Sequence, residues 1–259
     1  MITSEIVNVA GRKQQILRGG SGPTLVWFHG VNMVTAEDPV LLELAKTHSV
    51  IAPIAPGYND LAEISQLLTV HDLALAYDDL FETLGLKGAT VAGHSFGGMM
   101  AAELAAHVPD RVGRLVLLSP LGLWNDAYPV ADLFAVPYPD MQALLWQGAK
   151  TPKLQATANA EQGVEELVAL AQSLTTVTQY IWPLPDKGLR RRLYRIKAPT
   201  LVVFGANDAY VSPRYAKDFT SGLPTGQSQI IPDASHMAPY ENPALTASII
   251  NKFLAEKRS

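Results

Sequence analysis

The sequence predicts an α/β fold, a mostly parallel eight-stranded sheet with helices on both faces, and three observations point there. Short apolar runs alternate with longer stretches of helical spacing along most of the chain, the order that builds a parallel sheet with crossover helices. Several runs, TLVWFHG at 24–30 among them, are continuously apolar where a half-exposed strand would alternate, as strands buried on both faces are. The length, 259 residues without a cysteine, is enough to bury a large core with no disulfide to staple it.

Each element has its own signal. The first twenty residues, with EIVNVAGRKQQIL interrupted at Gly11, read as an antiparallel hairpin on the sheet edge. Parallel strands running into loops are expected at 24–30, 49–57, 89–95, 114–120, 200–208 and 228–236. A helix over 70–84 places Leu73, Ala76, Tyr77, Leu80, Phe81 and Leu84 on one face, which packs on the sheet. Another follows Ser95 and stops before Pro109, and a last one reaches Leu254. Residues 122–195 break the rhythm: they carry no strand signal but three helix-like pieces, 139–148, 161–178 and 186–196. The chain therefore divides into a core of 1–121 and 196–259 and an inserted helical cap, 122–195.

Composition excludes several functions. A net charge of −4 argues against a nucleic-acid backbone as partner, and the one basic run, Arg190–Arg192, reads as a solvated face. Without cysteine no thiolate metal site is available. The start, MITSEIVNVAGRK, lacks the charged-then-apolar pattern of a secretory signal, and no apolar run approaches a membrane span. The expectation is a soluble, cytoplasmic protein acting on a small molecule, with no membrane partner, metal or organic cofactor.

The chemistry concentrates at ATVAGHSFGGMM, 89–100. Gly93 and Gly97 flank Ser95 by two residues on each side, at the junction of a strand and a helix. A turn that sharp crowds those two positions until only glycine fits, and it holds the serine in a strained conformation with its oxygen displayed. Such a hydroxyl becomes a nucleophile with a histidine base oriented by a carboxylate. Asp208, in VVFGANDAYVSP, and His236, in IIPDASHMAPYENP, follow later strands in the order nucleophile, acid, base. Asp126 is the rival acid, and Asp233 stands too close in sequence to His236 to reach the far side of its ring. The Phe96 amide, at the helix start, is one oxyanion donor; the other comes from the loop FHGVNM, with Val31 the first candidate and Asn32 the alternative. His29 and His94 read as structural, and His48, His71 and His107 as ordinary helix or loop histidines.

With these residues in place the chain resembles the α/β-hydrolase superfamily over nearly its whole core. GSGPTLVWFHG is similar to that family's first-strand signature, GHSFGG to its nucleophile elbow, IKAPTLVVFGANDAYVSP to its acid strand and ASHMAPYENP to its histidine loop. The resemblance implies Ser95, Asp208 and His236 as triad, the Val31 and Phe96 amides as oxyanion hole, and a cap from Gly122 to about Arg195. Two departures bear on the subfamily. Ile54 stands where relatives often carry an acid, and serine in place of aspartate at the elbow excludes chemistry that needs a carboxylate nucleophile. WPLPDKGLRRRLYRIKAPT resembles the carbon–carbon bond hydrolases of aromatic-ring degradation, whose substrates carry a carboxylate. Between Arg114 and Arg190, however, there is no arginine, only Lys150, Lys153 and Lys187 against Asp126, Asp132, Asp140, Glu161, Glu165, Glu166 and Asp186. An acidic cap favours a neutral or amine-bearing substrate. Trp124, Phe134, Trp146, Trp182 and Met237 are the expected pocket wall, with Asn32 at its polar edge. The reading is a hydrolase of a small, fairly apolar ester. A carbon–carbon hydrolase, or a binding module that keeps the triad without turnover, is the alternative.

Overall fold

The computed structural model describes residues 1–146 and 160–256. Eight strands form one sheet: β1 (Ile2–Val9), β2 (Arg12–Gly19), β3 (Thr24–Phe28), β4 (Ser49–Pro53), β5 (Ala89–His94), β6 (Val112–Leu118), β7 (Thr200–Gly205) and β8 (Gly226–Ile231), ordered β1-β2-β4-β3-β5-β6-β7-β8. The first hairpin pairs antiparallel with itself and with β4, and every other pairing is parallel. Of the parallel strands, β8, at the sheet edge, is exposed except at Ile231, whereas β3 to β7 are buried almost throughout, as in β7, where all six residues are covered. That is the reason their sequences do not alternate.

Helices α1 (Pro39–Leu44), α2 (Val70–Thr83), α3 (Phe96–His107), α6 (Tyr215–Gly222) and α8 (Pro243–Ala255) belong to the core halves. The helix starts are set locally. Thr69 and Asp72 form a reciprocal capping box on α2, Asp38 accepts the Val40 and Leu41 amides on α1, and Asn242 accepts the Leu245 amide on α8. The most buried is α3, apolar all round except for Glu103 and the terminal His107. Glu103 is fully covered and receives Nη2 of Arg192 at 2.6 Å and Nε at 3.0 Å. Removing Arg192 would strand the buried Glu103 carboxylate.

Between β6 and β7 the chain runs through α4 (Tyr138–Leu145) and α5 (Ala160–Ile181). The helix expected over 186–196 is instead two short 3₁₀ turns, Leu189–Arg191 and Leu193–Arg195. Gly188, at φ 91°, opens the first of them, and left-handed backbone does not continue an α-helix. The expected end of the helix over 139–148 lies outside the described residues, as do Lys150 and Lys153. The last helix is also divided: α7 (Ala238–Glu241) stops at Asn242, whose side chain caps α8. Among the described residues no helix is long and apolar enough to cross a membrane.

Two features of topology place the site. The strand order reverses around β3, with β4 on one side and β5 on the other, and the crevice beyond the carboxyl ends of such strands is where ligands bind in open α/β sheets. The pairing Phe28↔Gly93 and the pairing Gly205↔Ile231 end β3 with β5, and β7 with β8, at one edge of the sheet. The loops carrying Val31, Ser95, Asp208 and His236 all leave from that edge.

Candidate active site

Ser95 sits at the tip between β5 and α3 with φ 56° and ψ −118°. This left-handed backbone is costly for a residue with a side chain and marks a position held by its surroundings. The surroundings are specific. A Cβ on Gly97 would overlap the carbonyl oxygens of Phe28 and His29, and one on Gly93 would overlap the Gly97 carbonyl, so the elbow closes only because both are glycine. The backbone of Ser95 is bonded from both sides, its amide to the Leu118 carbonyl at 2.9 Å and its own carbonyl accepting the Met99 and Leu121 amides.

The loop after β8 brings His236 to Asp208. Nδ1–H of His236 donates to Oδ2 of Asp208 at 2.9 Å, and Oδ1 of Asp208 accepts the amides of Tyr210 at 3.1 Å and Val211 at 2.8 Å. Both side chains are buried, and the opposite ring nitrogen of His236, Nε2, is covered and has no protein partner. A buried polar atom left without a partner is uncommon and points to a role beyond structure. The cavity that this ring borders also contains Ser95, Gly30, Val31, Asn32, His94, Met237 and Tyr240. The rival acid does not compete: Asp126 is exposed and accepts the indole Nε1–H of Trp124 at 2.7 Å.

The histidine loop is tightly held. Gly205 admits the carbonyls of Ala234 and Ser235 where a Cβ would not fit. Glu241 accepts the Ser235 amide at 3.0 Å, and Ser235 Oγ lies 2.6 Å from Glu241 Oε1 and 2.8 Å from the Leu145 carbonyl, its one proton serving either. His94 Nε2–H donates to the His236 carbonyl at 2.9 Å. Burial, reinforced by the neighbouring His236, pulls the His94 pKa down to about 3, so it is a neutral strut whose position next to Ser95 in sequence is incidental.

The loop after β3 is fixed by a pair of donors that converge on one oxygen. The Gly30 carbonyl accepts Nδ1–H of His29 at 2.8 Å and the Tyr58 hydroxyl at 2.9 Å, while His29 Nε2 accepts the Ala55 amide at 2.9 Å. Because a trans peptide is planar, with its N–H opposite its C=O, pinning the Gly30 carbonyl also fixes the direction of the Val31 amide. Burial lowers the His29 pKa to about 4 and the ring stays neutral, as its one-donor, one-acceptor bonding demands. Phe96 opens α3, where the first amides have no partner from a preceding turn and the helix dipole favours negative charge.

Residues expected to line the pocket separate into two groups. Asn32 and Met237 border the Ser95 cavity. Trp124, Phe134 and Trp182 instead come together with Tyr210 around a second cleft of about 140 Å³, and Trp146 packs half-buried against the core. Two parts of the site had escaped the reading of the sequence. Tyr210 stands in VVFGANDAYVSP and Tyr58 one residue past the strand segment 49–57, and a tyrosine two residues past an acid, or at a buried loop tip, is the signal for each. Among the described residues no cluster of three or more histidines and acids could hold a metal ion.

This arrangement has relatives. A protein of Mycobacterium tuberculosis without an assigned activity is 25% identical over 97% of this chain and 81% of its own length. The 2-hydroxy-6-oxo-6-phenylhexa-2,4-dienoate hydrolase of Burkholderia cepacia is 26% identical over 82% of this chain and 79% of its own. The crystal structure of naproxen esterase (carboxylesterase NP) from Bacillus subtilis superposes with a TM-score of 0.74 at 18% identity, covering 98% of this chain and 92% of that one, a likeness of fold. The model of the alpha/beta hydrolase family matches residues 18–249, nearly the full sequence from β2 into α8, and the chain belongs to that family, as a hydrolase.

Proposed function

We propose that the protein is a serine hydrolase that cleaves a small, fairly apolar ester through an acyl-enzyme. One observation carries the reading: a buried imidazole bonded through Nδ1 to Asp208 keeps Nε2 free of protein partners in the cavity it shares with Ser95. In this reading Nε2 takes the Ser95 proton as Oγ attacks the acyl carbon, Asp208 holds the tautomer and balances the imidazolium, and His236 returns the proton to the leaving alcohol. The Val31 and Phe96 amides receive the oxyanion, worth several kcal/mol where donors are preorganised, about 3 for a single one. Water, activated by the same nitrogen, then releases the acid.

Residues 122–195 serve as the cap. Support comes from both ends of the segment: the ring of Tyr180 on α5 stacks on Phe96 at 5.9 Å, Tyr180 Oη and Gln179 Nε2 bond the Leu67 carbonyl, and the Leu145 carbonyl at the end of α4 accepts from the Met237 amide. The helices thus rest on the elbow and on the histidine loop.

A panel of 4-nitrophenyl esters of increasing acyl length tests the reading. Wild-type protein gives a burst of nitrophenol equal to the enzyme concentration, and Ser95→Ala loses the burst and at least about a thousandfold in rate; an unchanged rate in the variant overturns it. The relationship to a dienoate hydrolase favours carbon–carbon cleavage as a second reading. Faster turnover of a vinylogous diketone acid than of any ester would promote it. Against it stands the absence of arginine between Arg114 and Arg190, which leaves no guanidinium there for the bidentate grip such a carboxylate would favour.

A further inference from the structure

The second cleft has its own chemistry. Four aromatic side chains, Trp124, Phe134, Trp182 and Tyr210, border it together with Asp132, the one ionisable acid or base in its lining apart from the tyrosine phenol. Its volume of about 140 Å³ suits a single head group, since pockets for whole drug-sized ligands start at about 300 Å³. Trp182 is 61% exposed, an expensive way to place an indole unless something covers it. Asp132 caps its own turn through Oδ1, which accepts the Phe134 amide at 2.9 Å, and has no ion pair among the described residues. Among the described residues the nearby cations are committed elsewhere: Arg190 to Asp218 and the Trp124 carbonyl, Lys187 to the Trp182 carbonyl.

From these residues we infer that the cleft is a binding site for an organic cation, an ammonium or quaternary ammonium group, and that it receives the cationic end of the ester substrate. Aromatic faces attract a cation through their quadrupoles, more strongly when water is excluded, and the carboxylate supplies the counter-charge. The local field is consistent with this: burial, together with Asp208 and Asp132, raises the Tyr210 phenol well above its ordinary value. Tyr210 also links the cleft to the reaction. Its ring packs edge-on against the His236 imidazole, centroids 4.8 Å apart, and its carbonyl accepts the Ala131 amide at 3.2 Å, so one side chain separates a group held in the cleft from the proposed base. Cation binding stands alone; the substrate role rests on the hydrolase reading.

The test uses choline and 3,3-dimethylbutan-1-ol, its uncharged counterpart of the same shape, titrated by tryptophan fluorescence into the full-length Ser95→Ala protein so that turnover plays no part. Saturable quenching by choline is expected, with the alcohol at least about tenfold weaker, and Asp132→Asn, which can still cap its turn, costs choline about tenfold at an unchanged melting temperature. Equal binding of the two probes, or full choline affinity in Asp132→Asn, overturns the cation site. Kinetics on wild-type protein then compare an ester ending in trimethylammonium with one ending in tert-butyl: a lower KM for the charged ester is expected, and equal KM values with choline binding intact remove the substrate role. Choline binding in a protein that hydrolyses no ester leaves the cleft standing and removes the hydrolase reading.

Discussion

The loops at the strand ends and the segment between β6 and β7 adjoin at Tyr210, which borders the segment's cleft, but are built on opposite principles. In the loops several oxygens are tied from two sides: Gly30 O, Asp208 Oδ1, Ser95 O and the Glu241 carboxylate each accept more than one bond or join two groups. In the segment, large apolar side chains face outward, with Phe134, Leu167, Val168, Trp182 and Leu184 all exposed. Chemistry requires atoms placed to a few tenths of an ångström, which backbone geometry and buried hydrogen bonds provide. Recognition of a variable group needs surface of the right character, which a helical insertion can change without disturbing the sheet.

The sharpest way to separate the two halves is to remove chemistry while keeping structure. In Asp208→Asn, Oδ1 can still accept the Tyr210 and Val211 amides while the group facing His236 Nδ1 loses its charge and can become a donor, which disfavours the tautomer that the proposed base needs. The expected loss is about a thousandfold or more in kcat, with a melting temperature within a few degrees of wild type. A large drop in melting temperature with modest loss of rate would instead make Asp208 a scaffold residue and blur the distinction.

The same contrast explains what could be read in advance. Ser95, Asp208 and His236 were legible because each sits in a local pattern with a steric or topological cause: glycines that overlap carbonyls if they gain a Cβ, and strand ends in a fixed order. The parallel strands were legible for a similar reason, since burial on both faces writes itself into consecutive positions. Residues 186–196 were not. Their apolar spacing over Leu189, Leu193 and Ile196 suits a helix, and the three leucine and isoleucine side chains are indeed buried; the left-handed backbone at Gly188 and the two separate 3₁₀ turns are a local departure that spacing alone does not encode. Composition suggests Trp124, Phe134 and Trp182 as the wall of the Ser95 pocket, but they border a separate cleft with Tyr210, which depends on tertiary contacts between segments far apart in sequence. Tyr58 was overlooked because its value comes from a bond to Gly30, 28 residues earlier.

That bond supports a smaller prediction within the rigid half. Tyr58→Phe keeps the ring that packs edge-on against His29 at 4.6 Å and deletes one of two donors on the Gly30 carbonyl. His29 still holds the peptide, so the Val31 amide loosens without turning away. About a tenfold fall in kcat with KM unchanged is expected, the pattern of an interaction that strengthens only in the transition state. A rise in KM at constant kcat would show that Tyr58 shapes the ground-state pocket instead.

Acid should expose the difference with the gentlest effect. All six histidines lie outside residues 122–195, and burial lowers the pKa of three of them, His29 to about 4, His94 to about 3, and His48 below its ordinary value. Unfolded chain takes up those protons as pH falls through about 6.5, whereas the native state refuses them until lower pH, so stability is greatest above that value and declines as pH drops toward 4. Each histidine contributes a slope of at most about 1.4 kcal/mol per pH unit. Asp38 and Glu63, whose carboxyls burial raises, act in the opposite sense near the bottom of that range, so the histidine effect is cleanest between pH 7 and pH 5. Urea unfolding across this interval should show a falling midpoint in wild type and a clearly shallower slope in His94→Gln, whose amide can still donate to the His236 carbonyl, with His29 and His48 supplying what remains. If the slope in the variant equals that of wild type, His94 is not the group that unfolding protonates, and the framework's sensitivity to acid must come from elsewhere than the strut behind Ser95.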